Sequence, residues 1–396
     1  MKSRRVLAGI VLLANLFLSG CWSSREVNTL GISVCLGIDK SDKGYVISEQ
    51  VINPKTIASK KMTSESPVVV YTQEGEDINE TITRMTTITS RKIYHSHLRM
   101  VILGEEIARE GISNIVDYLL RNPEFRTDFY FAIARGSSAR EILSVLTPIE
   151  LIPGVDMFTK LKMATEEWAP VRGLRIIELA NDLTADGINA TITAVEKVDD
   201  GDTTNSTDTL KKSGEFEKLK FTDIGVFKQD KLVGWLDELE SKGYNYITDK
   251  VLHTVGFETY GDNGMVSYDI PKTASKIKAV VRNNQPAITV EVKLTYDIVD
   301  VKGDLNVSKV ENIELINKLV EKKLRIICES AIHKAQKELG SDIFGFGERV
   351  HDADKAYWKT VKDKWNEVFV DIPVTLELSA KMNSTGDITK SITQKN

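Results

Sequence analysis

The chain has 396 residues, of which 41% are hydrophobic and 28% are charged, a composition typical of a globular protein with two or three domains. Its 52 basic and 57 acidic residues give a net charge of −5. That balance argues against a nucleic-acid-binding protein, because such a protein needs a basic face.

The first twenty residues predict a secretory signal peptide. A short basic head, formed by Lys2, Arg4 and Arg5, precedes the uncharged apolar run 6–18. As a helix this run would reach about 20 Å, which is short of the roughly 30 Å of a bilayer's hydrocarbon core. No later apolar stretch approaches that length, so we expect the rest of the chain to be soluble and tethered.

Cys21 is the predicted site of lipid attachment. It follows Leu18, Ser19 and Gly20, and this segment resembles a bacterial lipobox, in which small residues precede the cleavage site and the cysteine sulfur forms a thioether. We expect S-diacylglyceryl and N-acyl groups on Cys21. The alternatives are an ordinary signal peptide that is cleaved near a chance cysteine, or an uncleaved anchor.

Cleavage before Cys21 would leave 376 of the 396 residues and, by removing three basic residues, would change the net charge from −5 to −8. An acidic protein is mildly repelled by an anionic membrane surface. The sequence also shows no basic amphipathic helix. We therefore expect the acyl chains to supply the anchoring, at about 0.8 kcal/mol per buried methylene.

A polar segment, residues 196–215, divides the mature chain. It contains one Val and one Leu in twenty positions, which predicts a linker or a long exposed loop. On this basis we expect an N-terminal α+β domain at 21–195, a small middle domain at 216–265 and a C-terminal α+β domain at 266–396.

The N-terminal domain begins with a predicted β-hairpin. Apolar residues alternate from Ile32 to Ile38, which indicates a half-buried strand, and a turn at 41–44 leads to a second strand at 45–52. Residues 76–92 then carry apolar residues at helical spacing, with acidic residues at the start and basic residues at the end. The remaining predicted elements are a strand at 97–104 and helices around 105–120 and 137–146.

Beyond the polar segment, residues 221–247 predict two short strands that lead into a helix, and residues 277–299 predict further strands. Residues 311–339 form the longest predicted helix, about 43 Å, with a continuous apolar stripe. We expect this stripe to pack across the sheet of its own domain; a coiled coil or a partner helix is the alternative. The sequence thus predicts a multi-domain α+β fold, with mixed or antiparallel sheets packed with helices and a long amphipathic helix in the C-terminal domain.

Few residues suggest a chemical site. His95 and His97 lie two apart on a predicted strand and would point to the same side, together with Arg99. The arginine disfavours a cation, and no third ligand is recognisable nearby. The chain also lacks the motifs of common hydrolases. We therefore expect no metal, no cofactor and no enzymatic activity.

The glycines of "DIFGFG", residues 342–347, superficially resemble a phosphate-binding loop. A P-loop would need a lysine followed by Ser or Thr, and a buried strand before it, and the sequence has neither. We expect a tight turn that places Phe344 and Phe346 in the core.

Cys35 lies in a predicted strand and Cys328 in the long predicted helix. A disulfide between them can form in an exported protein. Two buried thiols in different domains is the simpler expectation.

Several segments have a familiar combination and order. They are "CWSSREV" at 21–27, the hairpin at 37–54, "SHLRMVILGEEIAREG" at 96–111, "GVFKQDKLVGWLDELESKG" at 225–243, "DIFGFG" at 342–347, and Trp358 and Trp365 before "VFVDIPVTLEL" at 368–378. Together they resemble the Ger(x)C family, the lipoprotein C subunits of nutrient-germinant receptors in spore-forming bacteria. Two positions depart from the family pattern: Ser23 stands where an acidic residue is frequent, and no proline precedes Trp358.

The resemblance implies a non-enzymatic subunit on the outer face of the cell or spore inner membrane, anchored through Cys21. It also implies an integral-membrane A subunit and a transporter-like B subunit as partners, and no ligand-binding residues on this chain. We expect a scaffold that the response to nutrient germinants requires. The alternative is a solute-binding lipoprotein that delivers a small molecule to a membrane transporter.

Overall fold

Two β-sheets organise the protein, whose computed structural model describes residues 29–58, 65–198 and 219–385. Up to residue 198 the strands are β1 (Leu30–Ser41), β2 (Gly44–Ile52), β3 (Val68–Gly75), β4 (Lys92–Tyr94), β5 (Met100–Gly104), β6 (Tyr130–Arg135), β7 (Leu174–Arg175) and β8 (Thr191–Lys197). The helices are α1 (Pro54–Ala58), α2 (Ile78–Arg84), α3 (Glu105–Glu110), α4 (Ser113–Arg121), α5 (Ala139–Leu143), α6 (Pro153–Glu167) and α7 (Ile176–Thr184).

From residue 219 onward, three long strands and one long helix dominate. The strands are β9 (Leu219–Lys228), β10 (Lys231–Leu236), β11 (Thr254–Tyr260), β12 (Gly264–Arg282), β13 (Gln285–Lys302) and β14 (Val374–Ser384). The helices are α8 (Glu238–Ile247), α9 (Val310–His333), α10 (Phe346–Ala353), α11 (Lys355–Val361) and α12 (Trp365–Phe369).

Both sheets are mixed. The first has the order β10-β9-β8-β6-β5-β1-β2-β3, with β4 paired to β1 and β7 paired to β6; the second has the order β11-β12-β13-β14. Parallel pairs occupy the middle of the first sheet, and its outer pairs are antiparallel. Helices pack on the sheets, so the predicted α+β class is confirmed.

The hairpin β1–β2 is confirmed, but the expectation that β1 is half-buried is wrong. Every residue from Ser33 to Ile38 is buried. Leu36 and Ile38 belong to the core on one side of the sheet, and Cys35 belongs to the core on the other. Helices cover both sides because β1 lies centrally, between β2 and β5. Gly37 lacks a side chain where Ala139 of α5 approaches it.

Two predicted helices are shorter than expected. The helix predicted at 76–92 ends as α2 at Arg84 and continues only as a 3₁₀ turn over Met85–Thr87. The threonines that follow bond to local carbonyl groups and favour extended backbone, so Lys92 already begins β4. The helix predicted at 105–120 is split into α3 and α4 at Gly111, whose φ of 141° is not helical.

The long C-terminal helix is confirmed, as α9 followed by a π-helical turn over Lys334–Leu339. Its apolar stripe contacts α8 and β14. The expectation of intramolecular packing is therefore confirmed. The stripe contributes the following residues to the core of the second sheet: Ile316, Val320, Leu324, Ile327, Cys328 and Ala331.

The residues expected to form a middle domain, 216–265, contribute strands to both sheets. β9 and β10 extend the first sheet, and β11 is the first strand of the second. Ile224 and Val226 of β9 belong to the core of the second sheet, whereas Phe227 belongs to a core of the first. The two cores thus meet at β9. Residues 199–218, which include most of the predicted linker, lie outside the described residues.

Gly243 marks a close contact between α8 and α9. A Cβ atom at this position would lie 2.7 Å from Cβ of Ala331 and would also collide with the carbonyl oxygen of Ile327. We predict that Gly243→Ala lowers the free energy of unfolding by about 1–3 kcal/mol, because it overpacks the interface. The same change from glycine to alanine at an exposed position inside a helix would instead raise the free energy of unfolding by up to about 1 kcal/mol.

Denaturant unfolding of the whole chain measures this effect. Lys318→Ala, on the exposed side of α9, is the matched control and should change stability little. A Gly243→Ala variant as stable as the native chain would contradict the close contact.

Candidate functional site

Cys21, the predicted lipid attachment site, lies outside the described residues, so the attachment stays a prediction. Among the helices that the structure describes, none is both long enough and apolar enough to cross a membrane.

The "DIFGFG" segment forms a loop around a buried carboxylate. Asp342 is fully buried, and its Oδ1 accepts hydrogen bonds from the backbone N–H groups of residues 344–346 at 3.0, 3.0 and 3.2 Å. Its Oδ2 accepts one from the N–H of Gly347 at 2.8 Å and one from the indole Nε1 of Trp365 at 2.8 Å. Gly345 has a φ of 74°, which lets the chain turn tightly around the carboxylate.

The burial of Asp342 has an electrostatic cost. Desolvation raises the pKa of Asp342 to about 6, although hydrogen bonds from the Trp365 indole and from the loop backbone act in the opposite direction. The carboxyl group accepts a hydrogen bond from each of the four loop N–H groups of residues 344–347. Because it occupies the loop's N–H groups, these groups are not available to a phosphate. The predicted tight turn is confirmed, and Phe344 and Phe346 stack in the core with ring centroids 5.0 Å apart.

This loop joins the C-terminal segment to the first sheet. The backbone N–H of Asn189 donates to the carbonyl oxygen of Asp342 at 2.7 Å, and Oγ of Ser341 donates to the carbonyl oxygen of Phe227 at 2.5 Å. Gly187 packs directly on Gly347, where an added Cβ would lie 2.7 Å from the Cα of Gly187. We call these contacts around Asp342 the Asp342 junction.

Helix α8 adds a second connection to the first sheet. The hydroxyl of Tyr244 bonds to Oγ1 of Thr191 at 3.0 Å and to the guanidinium of Arg172. Nδ2 of Asn245 donates to the carbonyl oxygen of Ala169 at 2.6 Å. Buried polar contacts therefore hold the two sheets together at two places.

His95 and His97 do not point to the same side, so that expectation is wrong. Both lie in the loop between β4 and β5, where His95 is buried and His97 is exposed. Nε2 of His95 lies 2.9 Å from Oε1 of Glu49, and the hydroxyl of Ser33 donates to the same carboxylate. Within the described ranges, no three His, Cys, Asp or Glu side chains are grouped as metal ligands would be.

The Ser33–Glu49–His95 cluster does not have the geometry of a nucleophilic site. In such a site the histidine contacts the serine, whereas here Glu49 lies between the two. All three side chains are buried. The cluster instead fastens the β4–β5 loop to strand β2. Burial by itself would lower the pKa of His95, but the charge and hydrogen bond of Glu49 raise it, and the net shift is upward.

Cys35 and Cys328 are free, buried thiols, and they belong to separate cores. Burial raises the pKa of both, which makes them poor nucleophiles. The expectation of two unpaired thiols is confirmed.

An open groove of about 660 Å³ lies between the edge strand β11 and helices α8 and α9. Val255 and Phe257 of β11 and Val299 of β13 line it with exposed apolar side chains. At its rim the ammonium group of Lys242 lies 4.3 Å from the ring centre of Trp168. Exposed apolar residues beside an unpaired strand edge are typical of a surface that meets another protein.

Asp342 and Glu49 are the residues whose role sequence reasoning missed. The glycines of "DIFGFG" predict a turn, but the pattern by itself does not predict the buried carboxylate of Asp342 at its centre. An aspartate followed by glycines and aromatic residues is a signal that could have indicated a buried carboxylate accepting hydrogen bonds from the N–H groups of the loop. Glu49, in a strand otherwise predicted from its apolar residues, gives no such signal.

Comparison with known proteins gives a consistent result over nearly the whole chain. A family model described as "Spore germination protein N-terminal domain" matches residues 23–197, and one described as "Spore germination B3/ GerAC like, C-terminal" matches residues 222–386. The chain is 28% identical to spore germination protein KC of Bacillus subtilis (strain 168), covering 98% of this chain and 97% of that protein. It is 24% identical to spore germination protein B3 of the same organism, covering 95% and 96%.

A solved structure, titled "Crystal Structure of the GerBC protein", has the same fold. The TM-score is 0.56 at 23% sequence identity, and the match covers 88% of this chain and 96% of that one.

We predict that Asp342→Ala lowers the free energy of unfolding by at least about 3 kcal/mol, because buried donors that lose their acceptor cost about 1–3 kcal/mol each. Asp342→Asn keeps one acceptor oxygen and should fall between this variant and the native chain. Denaturant unfolding measures both. Asp354→Ala is the control, because Asp354 accepts two backbone N–H groups at a less buried helix start and should cost about 1 kcal/mol. An Asn variant more stable than the native chain would show that the burial cost outweighs the hydrogen bonds.

We predict that the His95–Glu49 pair makes a pH-dependent contribution to the free energy of unfolding. Because the folded-state pKa of His95 is raised, this contribution is fully present below the unfolded pKa and is lost as pH rises through the folded one. His95→Gln keeps a hydrogen-bond donor but no charge. We expect the stability difference between the native chain and this variant to be larger at about pH 6 than at about pH 8.5.

Unfolding curves at several pH values test this prediction. His97→Gln, which changes an exposed ring, should show no such trend. A difference that grows with rising pH would reverse the assigned role of Glu49.

Proposed function

Because the chain belongs to the Ger(x)C family, we propose that it is the lipoprotein C subunit of a spore nutrient-germinant receptor, acting as a non-enzymatic scaffold. In this proposal a lipid on Cys21 holds it on the outer face of the inner membrane. There it contacts an integral-membrane A subunit and a transporter-like B subunit.

The observation that carries the proposal is the match of both family domains, in order, to residues 23–197 and 222–386. The geometry supports a scaffold in particular. The Asp342 junction and helix α8 tie the two sheets together through buried hydrogen bonds. Because these contacts leave no hinge where the described residues of the two sheets meet, the protein can hold two partners at a fixed distance and orientation.

The buried polar groups support a non-enzymatic role. Asp342 and Glu49 are the most deeply buried carboxylates discussed above, and both are used in structural hydrogen bonds. The groove along β11 offers exposed apolar side chains beside the strand that ends the second sheet among the described residues. These features suit contact with a protein partner better than the enclosure of a small solute.

A solute-binding lipoprotein remains the alternative function. It would have two lobes of alternating β and α units around a cleft. The described residues instead place β9 and β10 in the first sheet and join them to the core of the second. Calorimetry of the mature chain with nutrient germinants distinguishes the two: saturable heat of binding would favour the solute-binding role.

We predict that Cys21→Ala releases the protein from the membrane fraction and impairs germination through this receptor. The substitution removes the sulfur that would carry the lipid, and loss of the acyl chains removes the anchoring free energy. The measurement is fractionation of dormant spores, together with co-purification of partners through a C-terminal tag.

Ser23→Ala is the matched control, because it changes a neighbouring residue and leaves the sulfur in place. It should keep both membrane attachment and partners. Normal germination with an unanchored Cys21→Ala protein would contradict the anchoring role. If the native chain is purified alone, the receptor proposal is wrong.

A further inference from the structure

The outer side of the second sheet carries a concentration of basic side chains. Strand register places residues 272–282 of β12, 285–295 of β13 and 375–381 of β14 side by side, with alternate residues facing outward. We call this outward surface the lysine face. Its basic members are Lys272, Lys276, Lys278, Arg282, Lys293 and Lys381, and its acidic members are Glu291 and Glu377.

Strand alternation explains why these residues are exposed. On β13 Val290 and Val292 are fully buried in the core that includes α9, whereas the alternate residues Glu291 and Lys293 face outward. The same alternation holds along β12, where Lys276 and Lys278 are exposed. The apolar side of the sheet thus fixes which residues reach solvent.

Few carboxylates neutralise this surface. Six basic and two acidic residues give the lysine face a net charge of +4, in a chain whose total charge is −5. Glu291 bonds to Lys278, which lowers the pKa of that carboxyl. Glu291 also interacts electrostatically, at longer range, with Lys276 and Lys293. Lys278–Glu291 is the salt bridge that the described residues form on this face.

Charge is separated along the sheet. The basic residues occupy the half that ends at the β12–β13 turn, where Asn283 and Asn284 both have positive φ angles. The opposite half carries Asp269 and Asp297, which are cross-strand neighbours, and Asp300, against one exposed base, Lys302. A negatively charged surface would therefore attract one end of the sheet and repel the other.

We propose that the lysine face binds an anionic phospholipid surface, the membrane on which the proposed function places the chain. Neighbouring strands lie about 5 Å apart and alternate residues about 7 Å apart, so several flexible ammonium groups can contact different phosphates at once. The remaining outward residues are small or polar, such as Ala274, Ala287 and Ser379, apart from Val280. They leave the ammonium groups as the parts that extend furthest.

The composition favours lipid over a protein or nucleic-acid partner. None of the outward residues of the lysine face is aromatic. Protein interfaces usually depend on aromatic or arginine anchors that fill pockets. Single-stranded nucleic acids usually need aromatic side chains on which bases stack. A surface made of lysines without such anchors suits headgroups, which it meets through charge alone.

The test uses the mature chain from Trp22 onward, which contains every described residue and has no acyl group. We would measure sedimentation with phosphatidylcholine vesicles that contain or lack phosphatidylglycerol. We expect binding only to the anionic vesicles, weakening as salt increases. Lys276→Gln with Lys293→Gln should weaken binding about 25-fold, since each lysine near an anionic membrane contributes about fivefold.

Lys318→Gln with Lys322→Gln, two exposed positions on α9, removes the same charge elsewhere and should bind as the native chain does. Equal binding by the lysine-face variant, or no binding to anionic vesicles at low salt, would overturn the proposal. A third outcome would also overturn it: the native chain binds no vesicles, and the lysine-face variant loses an acidic protein that co-purifies with the native chain. The vesicle assay involves neither Cys21 nor a receptor partner, so its outcome is distinguishable from failure of the proposed function.

Discussion

The Asp342 carboxylate is the interaction on which the arrangement of the two sheets depends. A loop with four backbone N–H groups directed inward can be buried only if each group finds an acceptor. Asp342 supplies both oxygens and also accepts the indole N–H of Trp365. With these groups satisfied, Gly347 can pack directly on Gly187 of the first domain. The junction therefore combines a buried charge with a contact that tolerates no side chain.

A second buried carboxylate, Glu49, plays a similar part in the N-terminal region. Glu49 is buried within the first sheet and is stabilised by Ser33 and His95. In both places a carboxylate fixes a loop against a strand, and its lone pairs are used in that role. At both points, and at the buried thiols Cys35 and Cys328, the polar groups lie inside the protein. The proposed scaffold role requires such fixed contacts, whereas a catalytic group has to be accessible to its substrate.

Sequence reasoning identified elements whose signal is local. The hairpin β1–β2 and helix α9 follow from the spacing of their apolar residues. It failed where the partner is distant in sequence: β1 is buried on both sides because helices α3 and α5 pack on its two faces. It also gave no indication that His95 and Glu49, which are 46 residues apart in sequence, are in contact. The pairing of β8 with β9, on either side of the polar segment, could not be predicted from composition either.

The net charge of the chain likewise says nothing about how the charged residues are distributed over its surface. The acidic total suggested repulsion from an anionic membrane, yet the sheet register gathers Lys276, Lys293 and their neighbours on one surface. A lipid at Cys21 and this surface would act together, because a tether raises the effective concentration of the second contact. With the proposed acyl chains in place, a weak electrostatic contact would be sufficient to orient the protein. Strand β11 pairs with residues 264–270 of β12, at the acidic end of the sheet. Repulsion of Asp269 and Asp297 would tilt this end, and the groove beside it, away from the headgroups, where a protein partner could reach it.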